Sequence, residues 1–311
     1  MTVLAACAAA CSARTPVSSA PSHPSTVAGK EPASRQAAVA SEETLASFMA
    51  KVRHLSTHAR PGKVAAATLE GTDPALMAAV AASVARPSPA RYRAVAAEYT
   101  RLTVVDKAHG ALTRALALAP RDPRTHDALA RLWRDAGLPH LALGDAYRAV
   151  YLSRGSAEMR NTLGTVLQAL GRSGEARAEF TRVVERDPHA AYGWNNLCYA
   201  WLLGGRPFEA TRACRRALAL QPGFSAAQNN LGLARAQAGD MPGANHAFQL
   251  AGQPARADFN LGVAQAATGQ YALAAESFER ARAAKPEWQD AVLREGQARS
   301  AYDAQINRRT P

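Results

Sequence analysis

Asparagine recurs at three positions that keep nearly one spacing: Asn196, Asn230 and Asn260. Asn195 and Asn229 stand beside the first two, and Asn161 lies one spacing upstream. An amide side chain donates and accepts hydrogen bonds at once. A row of them suits the backbone of an extended peptide, and it equally suits bracing one helix against the next. Cys198 and Cys214 form the other pair with chemistry in reach. In an oxidising compartment they would close a short disulfide loop. As thiols they would act as small apolar residues, and that is the reading adopted here. Beyond these, the usual signatures of catalysis are missing. There is no phosphate-cradling glycine loop, no Gly-x-Ser-x-Gly, no His-Glu-x-x-His and no Cys-x-x-Cys. His109, His126, His140, His189 and His246 share no ligand spacing and read as solvated surface. No catalytic residue, metal site or cofactor is expected.

The elements that must position these residues are helical. The chain has 311 residues, 48% apolar and only 6% aromatic, and it is rich in alanine with few β-branched residues. No apolar run reaches 18 residues, which excludes an ordinary membrane-spanning helix. Four cysteines exclude a disulfide-built scaffold. The formal charge is +12, from 37 basic and 25 acidic residues, and lysine occurs only at 30, 51, 63, 107 and 285. Arginine spread along the chain, without clusters or interleaved aromatics, reads as a solvated surface and not as a nucleic-acid footprint.

A 34-residue period runs through Val95-Ala96, Leu129-Ala130, Leu163-Gly164, Leu197-Cys198 and Leu231-Gly232; Leu261-Gly262 follows after 30. Thirteen residues beyond each anchor lies an alanine: Ala108, Ala142, Ala176, Ala210, Ala244, Ala274. Eight beyond lies glycine in five of the six, and 25 beyond lies Pro120, Pro188, Pro222 or Pro286. The glycine ends a first helix in a left-handed conformation. The alanine lets a second, antiparallel helix come close, and the proline stops it. One such hairpin cannot bury its apolar face alone, so neighbours must stack. This pattern resembles the tetratricopeptide repeat (TPR) family over residues 89–288.

The resemblance implies an all-α, right-handed superhelical solenoid of about six hairpins, at 89–122, 123–156, 157–190, 191–224, 225–254 and 255–288. The shortened repeat loses four residues between Ala251 and Asp258, at the end of its second helix. Residues 41–88 read as extra N-terminal helices, over Ser41–Ser56 and Asp73–Arg86, with the second as a degenerate cap. Residues 289–311 read as a capping helix and tail. The family further implies a concave face that binds a protein or peptide segment and is lined by the first helices. On this chain that face would carry Arg131 and Arg134 at a charged end, then Asn161, then Asn195, Asn196 and Tyr199, then Asn229 and Asn230, then Phe259 and Asn260. Leu202, Leu233 and Val263 would add an apolar floor. The family's carboxylate clamp needs lysine at inner positions that hold none here, so acidic chaperone tails are not expected ligands.

The first 40 residues are rich in Ser, Pro, Ala and Thr and read as a flexible tether. Leu4-Ala5-Ala6-Cys7 resembles the bacterial lipobox, after which a cysteine is lipidated, although only three residues precede Leu4. Chance occurrence in alanine-rich sequence is the alternative. The lipobox-like start, the tether, the Asn-Asn-Leu-x-Tyr-x-Trp-Leu-Leu-x-Gly repeat and the shortened unit together resemble TPR lipoproteins of Tad/Flp-type pilus assembly. That resemblance implies a periplasm-facing envelope lipoprotein anchored at Cys7 and working with secretion or pilus-assembly components. The alternative is a cytoplasmic scaffold or co-chaperone with no membrane attachment.

Overall fold

The computed structural model describes residues 73–308. Cys7, the 1–40 tether and the 41–56 helix lie outside the described residues. Among the described residues there are fourteen α-helices and no strand. They fall into two compact units, 73–170 and 171–308.

In the first unit, α1 (Pro74–Ala85) packs on α2 (Pro89–Arg101). Two hairpins follow: α2 with α3 (Val105–Leu118), and α4 (Pro123–Asp135) with α5 (Pro139–Leu152). The last helix, α6 (Ala157–Ala169), lies against α5 and α4. Local sequence sets the helix starts. Asp73, Ser88 and Asp122 each precede a proline, and each side chain accepts a bond from a backbone N–H of its helix's first turn. Proline costs nothing there, because the N–H it lacks would have no helical partner. The core gathers Leu76, Val95, Tyr99, Leu112, Leu129 and Leu132, so α1 is sealed into the first hairpin.

In the second unit, α7 (Ser173–Arg186) packs on α8 (Ala191–Leu203). Three hairpins follow: α8 with α9 (Pro207–Leu220), α10 (Ser225–Gln237) with α11 (Met241–Leu250), and α12 (Pro254–Ala267) with α13 (Tyr271–Ala284). The long α14 (Gln289–Asn307) covers α13. The four residues absent from the shortened repeat come off α11, which has 10 residues where the other hairpin helices have 13 or 14. The helix stops at Ala251, Gly252 turns the chain at φ +76°, and α12 starts at Pro254.

The repeat positions do the work their spacing implies. All six alanines thirteen beyond the anchors are wholly buried. The glycines Gly137, Gly171, Gly205, Gly239 and Gly269 have φ between +66° and +88°, which an L-side chain adopts only under strain. Inside the hairpins, a glycine on the first helix faces an aromatic on the second. A methyl group at Gly262 would stand 2.9 Å from the Phe278 ring, and one at Gly232 would run into Phe248. Cys198 and Cys214 hold the matching positions of α8 and α9, and here the expectation of two thiols is corrected. They are joined by a disulfide, with Cα atoms 5.2 Å apart. The close helix approach that the small residues permit brings the two Cα atoms within the ordinary disulfide range.

The cap is held by charge as well as burial. Glu295 on α14 is buried and accepts bonds from Arg282 of α13 at 2.8 Å and Arg299 at 2.9 Å. Burial works to raise its carboxyl, and the two guanidinium groups outweigh that and hold it below its ordinary value.

Two outcomes follow. Gly232→Ala should lower unfolding stability in urea by about 1–3 kcal/mol, since the Phe248 ring must give way; no loss would mean the pair is not in contact. Glu295→Ala should cost about 1 kcal/mol at neutral pH, because both arginines are half-exposed and screened. A carboxyl lowered by folding stabilises above its unfolded value of about 4.5 and loses that contribution in acid. The gap between wild type and variant should therefore close below pH 4; a gap independent of pH would sink the ion-pair account.

Candidate functional site

Successive first helices touch one another: α2 with α4 and α4 with α6 in the first unit, and α8 with α10 and α10 with α12 in the second. Successive second helices pack far less against each other. Each unit therefore turns its first helices toward a crowded inner side. The residues expected to line a binding face all sit on those helices, and the structure separates them into two groups.

One group is consumed between helices. Asn195 and Asn230 are buried, and the Asn230 Nδ2 group donates to Asn195 Oδ1 at 3.0 Å. Asn260 Nδ2 donates in the same way to Asn229 Oδ1 at 3.0 Å. Asn195 turns its own Nδ2 group to Asn196 Oδ1 at 3.4 Å. The amides thus pair across successive first helices. Phe259 requires a correction: it is 1% exposed and lines no open surface. Its ring stacks on Trp288 at 4.4 Å and meets Phe278 edge-on at 5.3 Å. The cause is its repeat position. Asn195, at the equivalent place, is covered by the next first helix, and Phe259 is covered by the residue that caps α14.

The other group, which shares Asn229 and Asn260 with the first, stays partly open. Asn196, Tyr199, Asn229 and Asn260 are half-buried, as are Leu233 and Val263; Leu202 is buried. Asn196 and Tyr199 each hold a contact of their own. This face is amide-rich, with one phenol and aliphatic flanks. It can hydrogen-bond a peptide backbone while taking up apolar side chains.

In the first unit the charged end is a closed network. Arg131 Nε reaches Asp127 Oδ2 at 2.8 Å and Thr162 Oγ1 at 3.3 Å, and its Nη2 reaches Glu158 at 3.0 Å. Arg134 donates to Thr165 Oγ1 at 2.6 Å and to Asp135 at 2.8 Å. Asn161 is half-buried beside them and engaged in a contact of its own. Asp127 is buried, and its Oδ1 has no hydrogen-bond partner. Burial pushes its carboxyl above the ordinary value, against the pull of Thr162 and Arg131.

Sequence reasoning missed His126. Read as solvated surface, it is in fact 2% exposed, with Nδ1 at 2.8 Å from Asp145 Oδ1 and Nε2 at 3.0 Å from the Pro120 carbonyl. Its signal was available: the histidine sits in the first turn of a first helix, three residues after Pro123 opens it and six after Pro120 ends the preceding repeat. Among the described residues, no group of three His, Cys, Asp or Glu side chains could hold a metal ion, and no helix is long and apolar enough to cross a membrane.

A family model described as tetratricopeptide repeat matches residues 161–223 and 246–287. No curated protein matches the chain. Among solved structures, the chain is similar to PilW, titled a widely conserved type IV pilus biogenesis factor, at 21% identity and TM-score 0.59, over 66% of this chain and 97% of that one. It is similar to Pseudomonas aeruginosa pilF at 18% identity and TM-score 0.56, over 68% and 96%. It is also similar to the APC/C hetero-tetramer Cut9-Hcn1 at 17% identity and TM-score 0.62, over 75% of this chain and 48% of that one. At these identities the likeness is one of fold.

The amide pairing has a thermodynamic test. Asn230→Ala leaves the Asn195 carbonyl buried without its donor and should cost about 1–3 kcal/mol. The double variant Asn195→Ala/Asn230→Ala should cost clearly less than the two single changes summed, because the second removes the group the first orphaned. Additive costs in urea unfolding would mean that the two amides act independently.

Proposed function

The chain carries tetratricopeptide repeats, and from them we propose that it is a non-catalytic scaffold that holds a polypeptide segment along its first-helix face. Tetratricopeptide-repeat proteins are generally interaction scaffolds. One observation carries the proposal for this chain: after the amides have paired with each other, Asn196, Tyr199, Asn229 and Asn260 still reach solvent on one side of α8, α10 and α12. Arg131 and Arg134, on α4 of the first unit, are each already held by a threonine and a carboxylate. An extended segment would meet amide donors and acceptors spaced by one repeat, with Leu233 and Val263 for its apolar side chains.

The working place proposed is the bacterial cell envelope, facing the periplasm, with attachment through a lipid on Cys7 and a part in secretion or pilus assembly. Support comes from the lipobox-like Leu4-Ala5-Ala6-Cys7 and from the likeness of fold to PilW and pilF. A cytoplasmic scaffold without membrane attachment is the competing reading.

A photo-crosslinking amino acid placed at Tyr199 or Asn229 in cells should give discrete protein adducts. The same residue at Arg216, on the exposed side of α9, should give none. Equal adducts at all three positions would remove the face from consideration. Labelling with a palmitate analogue, using the gene with its upstream codons, should mark the protein and be lost in Cys7→Ala. An unlabelled protein recovered from the cytosol would favour the competing reading.

A further inference from the structure

The hairpins of residues 171–308 solve one packing problem in two ways. In α10–α11 and α12–α13 a glycine faces a phenylalanine, Gly232 with Phe248 and Gly262 with Phe278. The ring fills the space above the glycine and ties the two helices by contact. In α8–α9 the same two positions hold Cys198 and Cys214, which together have somewhat less volume than glycine and phenylalanine. What ties these helices is a covalent bond. Both cysteines are fully buried.

We infer that Cys198 and Cys214 are a site of oxidative modification, closed by exchange with a dithiol–disulfide oxidant while the hairpin folds, and that this chain therefore matures in an oxidising compartment. The chemistry is ordinary exchange. The thiolate of one cysteine attacks a sulfur of the oxidant's disulfide and displaces the oxidant's other sulfur as a thiolate. The second cysteine, losing its proton, attacks the mixed disulfide; the Cys198–Cys214 bond forms and the oxidant leaves as a dithiol. Two thiols are oxidised, one disulfide is reduced, and two protons move to the oxidant.

Two features of the structure support this. The pair replaces a contact that the neighbouring repeats need, so a reduced hairpin lacks both the ring and the bond. The burial of both sulfurs also sets the order of events. Once α8 and α9 are packed, no reagent reaches either atom, so oxidation comes before or with closure, and reduction waits for local opening. In a compartment poised to reduce thiols this exchange of ring for bond would be a plain loss, whereas in an oxidising one it is neutral. The inference does not depend on what the repeats bind; the crosslinking experiment above and the thiol experiment below can fail separately.

Protein taken from its own cells should be quenched in acid, denatured without reductant and treated with a maleimide. Cys198 and Cys214 should stay unlabelled until a phosphine reductant is added. Native protein should resist that reductant until urea opens it. The reduced form should then unfold at lower urea, with a folding constant about a hundredfold smaller, as loop closure over some 15 residues predicts. Cys198→Ala/Cys214→Ala should match the reduced form. Cys198→Gly/Cys214→Phe, which restores the neighbours' pair, should recover stability and ignore the reductant. Labelled thiols at both positions in protein from its own cells would overturn the inference. So would an unfolding midpoint that the reductant does not move, and this readout stands even if the Gly/Phe variant does not fold.

Discussion

The structure depends on how closely two antiparallel helices can approach within a hairpin. That approach is set by small side chains: a glycine, alanine or cysteine on the first helix and a wholly buried alanine twelve residues on. Because the helices are close, the remaining space at each crossing is small and defined; in the three hairpins of residues 191–284 it is filled by one group, a ring or a disulfide. Neighbouring hairpins then stack on the faces this pairing leaves. Small residues carry little transfer energy themselves. Their contribution is geometric, in letting larger groups be buried fully.

The same constraint decides what the inner side can offer. First helices crowd each other, so polar residues at their contacts must find partners or remain unpaired. Asn195 with Asn230, and Asn229 with Asn260, solve this amide to amide. In the first unit the solution is ionic: Arg131 and Arg134 are held by carboxylates and threonines, and Asp127 keeps one oxygen unpartnered. Buried and half-buried side chains therefore sit one residue apart on the same helix, and the half-buried ones still meet solvent even where, as with Asn229 and Asn260, they pair with each other.

The fold was largely legible in the sequence because its rule is periodic. The alanines, glycines and prolines announce helix contacts, ends and turns through spacing alone. The site was less legible, since position in a repeat predicts direction and not cover. Phe259 keeps its register, but Trp288 at the start of α14 lies on top of it. Asn195 and Asn230 are hidden for the same reason, while Asn196 and Asn229 are not. For Cys198 and Cys214 the repeat register showed that the pair was in reach, but not whether two small apolar thiols or a bond would fill the crossing; the hairpin places their Cα atoms 5.2 Å apart and joins them. His126 was misjudged because scattered histidines are commonly solvated, whereas this one fills a gap below a helix start.

The ten-residue α11 has a mechanical meaning. A stack of hairpins passes load only from each seam to the next. Within residues 171–308 the seam between α11 and α12 is the thinnest, because the missing turn removes the part of α11 that would lie along its neighbour. A pull on this unit would therefore be borne least well there. The pieces on either side, one cross-linked through α8 and α9 and the other clamped by Glu295, would keep their own geometry while the joint between them gave.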